Sequence, residues 1–272
     1  MDELAGYRGR WAVVTGAGEG IGLALAEGLA RIGMNLVVVD IRTEAADAAA
    51  EALKAFGGET LSIVCDVSDR DSVAGLADRL VGQDILPSIL WINAGVAVGA
   101  SVLDVSPRTA EWVYGVNVLG AIWTAQAVVP LLLKAEGPRH VGITASVASV
   151  VPVRGPFTIY SASKQATAAV GEALAAELAP ENVGVTILCP GLVNTGIWDA
   201  ARARPERFGG ARRLPDAVGE RWRQAQGPEV VVRPALESIA RGGGWCVVPT
   251  EADSEPGFEA RHAAIRDGFP KP

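Results

Sequence analysis

Cysteine and histidine are scarce in this sequence, which limits both disulfide and metal chemistry. The 272 residues include three cysteines and two histidines. Cys65, Cys189 and Cys246 are too few and too widely spaced for a disulfide scaffold, and no C-x-x-C pair is present. With only His140 and His262 to add, we expect no metal site. A reducing, cytoplasmic setting fits this cysteine usage.

Positive charge is also in short supply. The chain has 24 basic and 31 acidic residues, a formal net charge of −7, so we expect no binding to nucleic acid. The first residues lack the basic start and apolar segment of a secretory signal. The most apolar stretch, 121–133, is interrupted by Pro130 and is shorter than the ~20 residues of a membrane span. We therefore expect a soluble protein without a membrane partner.

Short β-branched runs alternate with Ala-rich or Leu-rich stretches of helical length. When helices cover both faces of a parallel sheet, its strands are apolar throughout, and these runs are. Their alternation with helical stretches therefore indicates a parallel sheet. The predicted strands are 11–15, 35–40, 61–65, 89–92, 140–145, 184–189 and 245–248, and the predicted helices are 21–32, 43–56, 69–81, 107–134 and 158–178. We predict an α/β fold: one doubly wound, Rossmann-like domain spanning residues 1–272, with about seven strands.

Two regions depart from this alternation. Residues 196–228 are rich in Arg, Pro, Gly and Trp and follow a strand end, where open α/β sheets bind their ligands. This insertion is either a surface loop or a substrate lid. The C-terminal tail, 249–272, contains one weak helical pattern at 255–266.

A glycine-rich turn joins the first strand to the first helix. Its glycines follow the pattern G-x-x-x-G-x-G, which permits a tight turn and close approach of the backbone to a pyrophosphate at the helix N-terminus. The G-x-G-x-x-G fingerprint does not fit, and the absence of G-K-[ST] excludes a P-loop nucleoside triphosphatase. The residues expected to contact the dinucleotide here are Gly16, Gly18, Glu19, Gly20, Ile21 and Gly22.

An acidic residue ends the second predicted strand. Asp40 lies 20 residues after Gly20, where a carboxylate can accept hydrogen bonds from ribose hydroxyls and would repel a 2′-phosphate. Glu19 adds a second negative charge. Both residues favour NAD over NADP, although Arg42 could reach a phosphate and leaves NADP open.

Tyr160 and Lys164 form the most informative pair. They are four residues apart at the start of a predicted helix, so their side chains share one face. A phenol is a poor base at neutral pH; a nearby ammonium favours the phenolate, and lowering its pKa to ~7 takes about 4 kcal/mol. With three tyrosines and four lysines in the chain, a chance Y-x-x-x-K has a frequency of about 4%. The pair predicts an acid/base site, and a surface helix pair is the alternative.

These motifs, with others in the same order, resemble the short-chain dehydrogenases/reductases as far as about Thr195. The glycine turn matches T-G-x-x-x-G-I-G, Ser146 lies 14 residues before Tyr160, and Asn117 lies within the predicted helix 107–134. Ile92 occupies a position where many members have a second Asn. The remaining matches are the pair Asp66 and Val67, the N-A-G motif of Asn93, Ala94 and Gly95, and the P-G-x-V-x-T motif with Pro190, Gly191, Val193 and Thr195.

The resemblance implies a role for each matching residue. Tyr160 would exchange a proton with the substrate, and Ser146 would donate a hydrogen bond to the substrate oxygen, with Ser149 as the alternative. Lys164 would lower the pKa of Tyr160 and hold the nicotinamide ribose, and Asn117 would support a water chain to Lys164. The other matches, together with Asp40 and Ile41, would bind NAD.

The substrate is expected to be a secondary alcohol or its ketone. Trp198, Phe208 and Trp222 could line an apolar pocket or pack the insertion onto the sheet. Residues 195–209 are similar to the loop of Cα-dehydrogenases that oxidise lignin-derived aryl ethers, which implies a bulky aromatic or alicyclic substrate. The loop arginines leave open an acidic substrate, such as a 3-oxoacyl thioester, and they are Arg202, Arg204, Arg207, Arg212 and Arg213.

Two further expectations concern a different function and the assembly. A non-catalytic NAD-binding sensor or scaffold is the alternative of another class, and the presence of Tyr160, Lys164 and Ser146 weighs against it. The resembled family assembles through two long helices. The small residues of 158–178 allow close helix approach, so we expect a homo-oligomer, either a tetramer or a dimer; burial within one subunit would explain them as well.

Overall fold

A parallel sheet forms the centre of the computed structural model, which describes residues 2–151, 155–250 and 254–269. Its strands are β1 (Trp11–Thr15), β2 (Asn35–Asp40), β3 (Thr60–Val64), β4 (Pro87–Ile92), β5 (His140–Thr144), β6 (Gly184–Pro190) and β7 (Gly243–Val248). Their spatial order is β3-β2-β1-β4-β5-β6-β7, and every neighbouring pair is parallel. The predicted doubly wound α/β fold is confirmed.

Helices connect and cover the strands. They are α1 (Gly20–Arg31), α2 (Thr43–Leu53), α3 (Arg70–Gly82), α4 (Pro107–Tyr114), α5 (Gly120–Leu132), α6 (Thr158–Leu178), α7 (Glu220–Arg223), α8 (Val232–Ala240) and α9 (Ser254–Asp267). A π-helical segment, Gly115–Leu119, joins α4 to α5. Short 3-10 turns, among them Gly196–Ala203, occupy much of the insertion 196–228.

The sheet buries side chains on both of its faces. On β1, Val13 points into one core, which α3, α5 and α6 complete, whereas Ala12 and Val14 point into the other, which α1, α2 and α8 complete. Because residues of the central strands face one or the other of these two cores, alternation of apolar and polar residues is absent from those strands. The apolar runs in the sequence have this cause.

Two helical features differ from the prediction. Helix α8 was not predicted; its sequence contains Pro234, which the first turn of a helix tolerates. The continuous helical run Pro107–Leu132 is long and apolar enough to cross a membrane by length and composition, and 61% of its most apolar window is buried inside the protein. Val128 and Leu132 of this run belong to the core that α3, α5 and α6 complete on one face of the sheet, as expected of a core helix.

The strand order places a crevice at the carboxyl ends of the central strands. β1 lies between β2 and β4, so the chain leaves the carboxyl ends of β1 and β4 in opposite directions. Ligands of open α/β sheets bind at such a switch point.

Candidate active site

A cleft of about 690 Å³ opens at the carboxyl ends of the strands. Most of the predicted site residues line it: Gly16, Glu19, Gly20, Ile21, Asp40, Ile41, Asp66, Val67, Asn93, Ala94, Gly95, Ser146, Tyr160, Lys164, Pro190, Gly191, Val193 and Thr195. Residues from seven separated chain segments thus converge on one site. The cleft lining does not include Gly18, Gly22, Asn117, Trp198 or Phe208.

The glycine turn is shaped by close backbone contacts. Gly16 and Gly20 have φ angles of +62° and +59°, in the left-handed region that favours glycine. A Cβ on Gly16 would lie 2.9 Å from the Ala94 Cα, and one on Gly22 would collide with the Gly16 carbonyl oxygen. Gly22 therefore shapes the turn from behind, while Gly20 and Ile21 line the cleft at the N-terminus of α1.

Asn93 fastens this turn to β4. Its side-chain Nδ2 donates to the carbonyl oxygens of Thr15, at 3.1 Å, and Gly16, at 3.2 Å. The Thr15 hydroxyl in turn accepts the backbone N–H groups of Asn93 and Ala94, at 2.9 and 3.1 Å. The two strand ends on either side of the crevice are thereby held in one fixed arrangement.

The carboxylate of Asp40 is buried and already bonded within the protein. Its Oδ2 accepts the Gly18 N–H at 3.0 Å, and its Oδ1 accepts the backbone N–H and Nε of Arg42, at 3.0 and 3.4 Å. Arg42 also pairs with Glu19 at 3.3 Å. The guanidinium that could have met a 2′-phosphate is therefore held by two carboxylates.

Tyr160, Ser146 and Lys164 converge in the same cleft. Lys164 is 3% exposed, and its Nζ donates to the Thr144 carbonyl oxygen at 2.8 Å. Burial lowers the pKa of Lys164 to about 8. Burial also raises the pKa of Tyr160, and its hydrogen bond with Ser146 acts in the opposite direction. The lowered phenol pKa expected from Lys164 is therefore not present in the protein alone.

Ser149, the alternative to Ser146, has a structural role. It is buried, and its hydroxyl donates to the Lys164 carbonyl oxygen at 2.8 Å. Ser146 instead lines the cleft, and its Oγ accepts the Ala148 N–H at 3.2 Å. That contact occupies a lone pair and leaves the Ser146 proton to be donated elsewhere.

Asn117 supports the site from behind the cleft. Its Oδ1 accepts the Val96 N–H at 2.8 Å, and its Nδ2 donates to the Val96 carbonyl oxygen and the Ser163 hydroxyl, at 3.0 and 2.9 Å. A Cβ on Gly95 would lie 3.1 Å from Lys164 Nζ and 3.4 Å from Asn117 Oδ1, so both side chains border Gly95. Asn117 lies in the π-helical segment, a feature frequent at functional sites.

Comparison with known proteins decides the family. The family model described as short chain dehydrogenase matches residues 10–206. A 1-deoxy-11-beta-hydroxypentalenate dehydrogenase of Streptomyces exfoliatus is 37% identical over 217 residues, 78% of each chain. This chain belongs to the short-chain dehydrogenase/reductase family. The expectation drawn from its ordered motifs is confirmed.

Solved structures of other short-chain dehydrogenases/reductases share its fold over nearly the whole chain. A short chain dehydrogenase/reductase from Burkholderia phymatum in complex with NAD is 32% identical, covers 98% of both chains and has a TM-score of 0.88. The L-sorbose reductase of Gluconobacter frateurii, complexed with NADPH and L-sorbose, is 25% identical, covers 90% of this chain and 97% of its own, and has a TM-score of 0.76. Both dinucleotides thus occur among similar structures.

Two residues that were predicted to contact the substrate do not line the cleft. The Trp198 indole packs against Gly219 and lies 5.4 Å from the Arg223 guanidinium. Phe208 packs beside Gly115 and against the core that α3, α5 and α6 complete. Both side chains fold the insertion onto the body of the protein, so the prediction that they form the pocket wall is not supported.

Other aromatic and apolar residues also line the cleft. Phe157 and Trp222 are among them and form an edge-to-face pair with ring centroids 5.6 Å apart, and Ile197 is another. Trp222 was one of the aromatic candidates of the insertion. Phe157 was missed, although its position three residues before Tyr160 would have pointed to it. Ser254 and Gly257 of α9 also line the cleft, and no sequence signal indicated them.

Three arginines of the insertion bond to other side chains of the protein. Arg202 pairs with Glu19, and Arg207 donates to Asp66 and Ser68, both at 2.8 Å. Arg204 donates to Thr109 at 3.2 Å and lies over the Trp112 ring. These arginines therefore hold the insertion across the cleft, a role that the sequence alone did not separate from substrate binding.

The described residues contain no candidate metal site. In the ranges 2–151, 155–250 and 254–269, no group of three or more His, Cys, Asp or Glu side chains could hold a metal ion. The cysteines are buried and not bonded to one another. Burial raises the pKa of the Cys189 thiol to about 12, so it stays protonated and unreactive at neutral pH.

Proposed function

We propose that this protein is an NAD-dependent oxidoreductase that transfers hydride between a nicotinamide cofactor and a bulky apolar secondary alcohol or its ketone. The observation that carries the proposal is the convergence of Tyr160, Ser146 and Lys164 with the glycine turn in one cleft. Acid/base and dinucleotide-binding groups are thus within reach of one ligand. Tyr160 is the general acid/base.

The residues of the cleft fit a dinucleotide. Gly16 and Gly20 keep the turn free of side chains at the N-terminus of α1, which suits a pyrophosphate. Asp40 and Glu19 hold Arg42, so its guanidinium is already paired with carboxylates of the protein. This arrangement supports NAD, and the NAD complex of the Burkholderia phymatum relative agrees with it.

The proton chemistry falls to three side chains of this chain. A nicotinamide cofactor held in the cleft would supply the redox chemistry, with NAD⁺ as the hydride acceptor in oxidation and NADH as the hydride donor in reduction. Tyr160 takes the hydroxyl proton during oxidation and returns it to the carbonyl oxygen during reduction. Ser146 donates a hydrogen bond to the same oxygen and stabilises its negative charge. Lys164 is held by the Thr144 carbonyl oxygen, and in its protonated form it favours the phenolate.

Apolar side chains contribute part of the cleft lining. Among them are Val96, Val147, Val151, Phe157, Ile197 and Trp222, which supports a bulky aromatic or alicyclic group on the alcohol. The loop resemblance to Cα-dehydrogenases of aryl ethers points the same way. The Streptomyces relative is named for a hydroxylated substrate. An acidic substrate has less support, since Arg202, Arg204 and Arg207 bond within the protein.

A substrate panel tests this function. Reduction of NAD and of NADP is followed with aryl, alicyclic and hydroxyacyl secondary alcohols, using Tyr160→Phe as the control. Turnover of aryl or alicyclic alcohols with NAD, lost in Tyr160→Phe, would support the proposal. If the protein binds NADH but oxidises no alcohol and reduces no ketone, a non-catalytic NAD sensor or scaffold becomes the better reading.

We also propose that the protein is a cytoplasmic homo-oligomer, a dimer or tetramer, built from one domain over residues 1–272. On α6, Ala169, Ala173 and Ala176 are exposed at spacings of four and three residues, which lets another helix approach closely. Trp245 and Val247 are exposed on the edge strand β7. The buried thiols fit a reducing compartment. Sedimentation that shows a monomer at micromolar concentration would refute the assembly.

A further inference from the structure

The C-terminal helix α9 forms part of the wall of the cleft. Ser254 and Gly257, in its first turn, line the cleft, and Ser254 is buried. The next turn carries Arg261, which is half-buried, and the last turn carries Arg266, which is exposed. One side of the helix therefore faces the catalytic region while the other faces solvent.

Arg261 bonds to the segment that follows the catalytic serine. Its Nη1 donates to the Val151 carbonyl oxygen at 3.1 Å, and its Nη2 donates to Gln165 Oε1 at 3.1 Å. Gln165 adjoins Lys164 on α6, and its Nε2 donates to the Ala148 carbonyl oxygen at 3.4 Å. The Arg261 guanidinium therefore contacts the carbonyl oxygen of Val151 directly and that of Ala148 through the side-chain amide of Gln165.

The direction of these bonds matters for Gln165. An amide can present its oxygen or its nitrogen to a neighbour. Because the Arg261 guanidinium only donates, it holds the oxygen of Gln165 and turns the nitrogen toward the Ala148 carbonyl. Without Arg261, the amide oxygen of Gln165 would lose its donor, and the long 3.4 Å bond to the Ala148 carbonyl oxygen alone would hold the side chain.

Ala148 is the direct neighbour of the catalytic hydroxyl. Its N–H donates to Ser146 Oγ at 3.2 Å, so the position of Ala148 sets the rotation of the Ser146 side chain. That hydrogen bond leaves the Ser146 proton to point toward Tyr160 and the substrate oxygen. Transition-state stabilisation by such a donor depends on its placement to within a fraction of an ångström.

We propose that Arg261 is a positioning residue for Ser146, which makes the C-terminal helix part of the catalytic apparatus. The inference rests on the proposed function of Ser146. Arg261 acts on Ser146 through Gln165 and Ala148, and it also holds the segment 148–151 by its direct bond to Val151. Arg261 touches neither the substrate nor the dinucleotide in this chain of contacts, so its loss should lower kcat and leave NADH binding intact.

The test compares Arg261→Met with Arg266→Met, which removes an exposed arginine from the same helix. Hydrogen exchange of the peptide containing residues 146–151 is measured on the protein without substrate, because the Ala148 N–H reports directly on its bond to Ser146. We expect exchange there to accelerate about tenfold in Arg261→Met alone. With the alcohol found in the panel, kcat should fall about tenfold while KM and the NADH Kd change less than about twofold.

Two further variants separate positioning from general stability. Arg261→Lys keeps one donor and should recover part of kcat. Gln165→Leu should reproduce the exchange and kcat effects, and the double variant should be no worse than either single one. Equal exchange and kcat in Arg261→Met and Arg266→Met would overturn the proposal. So would a loss of NADH affinity and Tm that accounts for the whole decrease in kcat. If the wild type turns over no alcohol, the proposed function fails, whereas the exchange comparison still decides on Arg261.

Discussion

One buried histidine should control the pH dependence of folding stability in the weakly acidic range. His140 opens β5 and is 1% exposed. Its Nε2 shares a 2.8 Å hydrogen bond with the Thr186 hydroxyl, which in turn bonds to Ser238 at 2.9 Å. These partners are uncharged, and burial lowers the pKa of His140 from 6.5 to about 3. The folded protein therefore keeps this imidazole neutral where the unfolded chain protonates it.

The sign and size of the effect follow from this difference. Since the folded pKa is below the unfolded pKa, the stabilisation is complete above a pH of about 6.5 and is lost progressively as the pH falls toward about 3. Each pH unit in this window is worth about 1.4 kcal/mol. His140 alone should therefore reduce the free energy of unfolding by about 2 kcal/mol between pH 7 and pH 5.

Urea unfolding at these two pH values measures the effect. His262 is the only other histidine and is exposed, so His262→Gln is the matched control and should keep the wild-type pH dependence. His140→Gln should have a lower free energy of unfolding at pH 7, because the core is repacked. Between pH 7 and pH 5, however, its free energy of unfolding should fall by about 2 kcal/mol less than that of the wild type. Equal losses in the wild type and His140→Gln would refute the reasoning.

Three other predictions concern the cleft. Glu19→Gln should raise the ratio of kcat/KM with NADP to that with NAD about fivefold or more, because it frees Arg42 for a phosphate; initial rates with both dinucleotides measure it. Gly16→Ala should weaken NADH binding about tenfold or more in a fluorescence titration, whereas Gly75→Ala, whose Cβ meets nothing within 4 Å, should bind normally. Trp222→Ala should raise KM for an aryl alcohol about tenfold, while Trp198→Ala should lower the unfolding free energy by about 1–3 kcal/mol and leave KM unchanged. The reverse result would make Trp198 the substrate contact.

The fold could be predicted from the sequence because the signal is local and repeated. Each strand is an apolar run, each covering helix has a separate apolar stretch, and their alternation allows few topologies. Helix α8 escaped prediction because Pro234 lies in its first turn and its nine residues give a short pattern. Its position is decided instead by packing, since Val232 and Leu236 contact Gly28 of α1.

The π-helical segment around Asn117 depends on contacts distant in sequence. Its widened turn leaves the Asn117 carbonyl oxygen to accept the Thr167 hydroxyl at 2.9 Å, from α6. The Asn117 side chain is held by Val96 and Ser163, 21 and 46 residues away. A helical pattern in the sequence contains none of this information. The family match could therefore find Asn117 and imply its support of Lys164, but its bonds to Val96 and Ser163 could not be predicted.

Charge in the insertion shows most clearly what sequence reasoning lacks. Glu19 alone, read from the sequence, repels a phosphate, and five nearby arginines attract an acidic ligand. In the structure Glu19 meets Arg42 and Arg202, so its charge is opposed by two cations and cannot by itself exclude a 2′-phosphate. The proposed preference for NAD rests instead on the guanidinium of Arg42 being held by Asp40 and Glu19. We therefore expect the choice between NAD and NADP to depend also on the pair of Arg202 with Glu19, by which the insertion folds back onto the glycine turn.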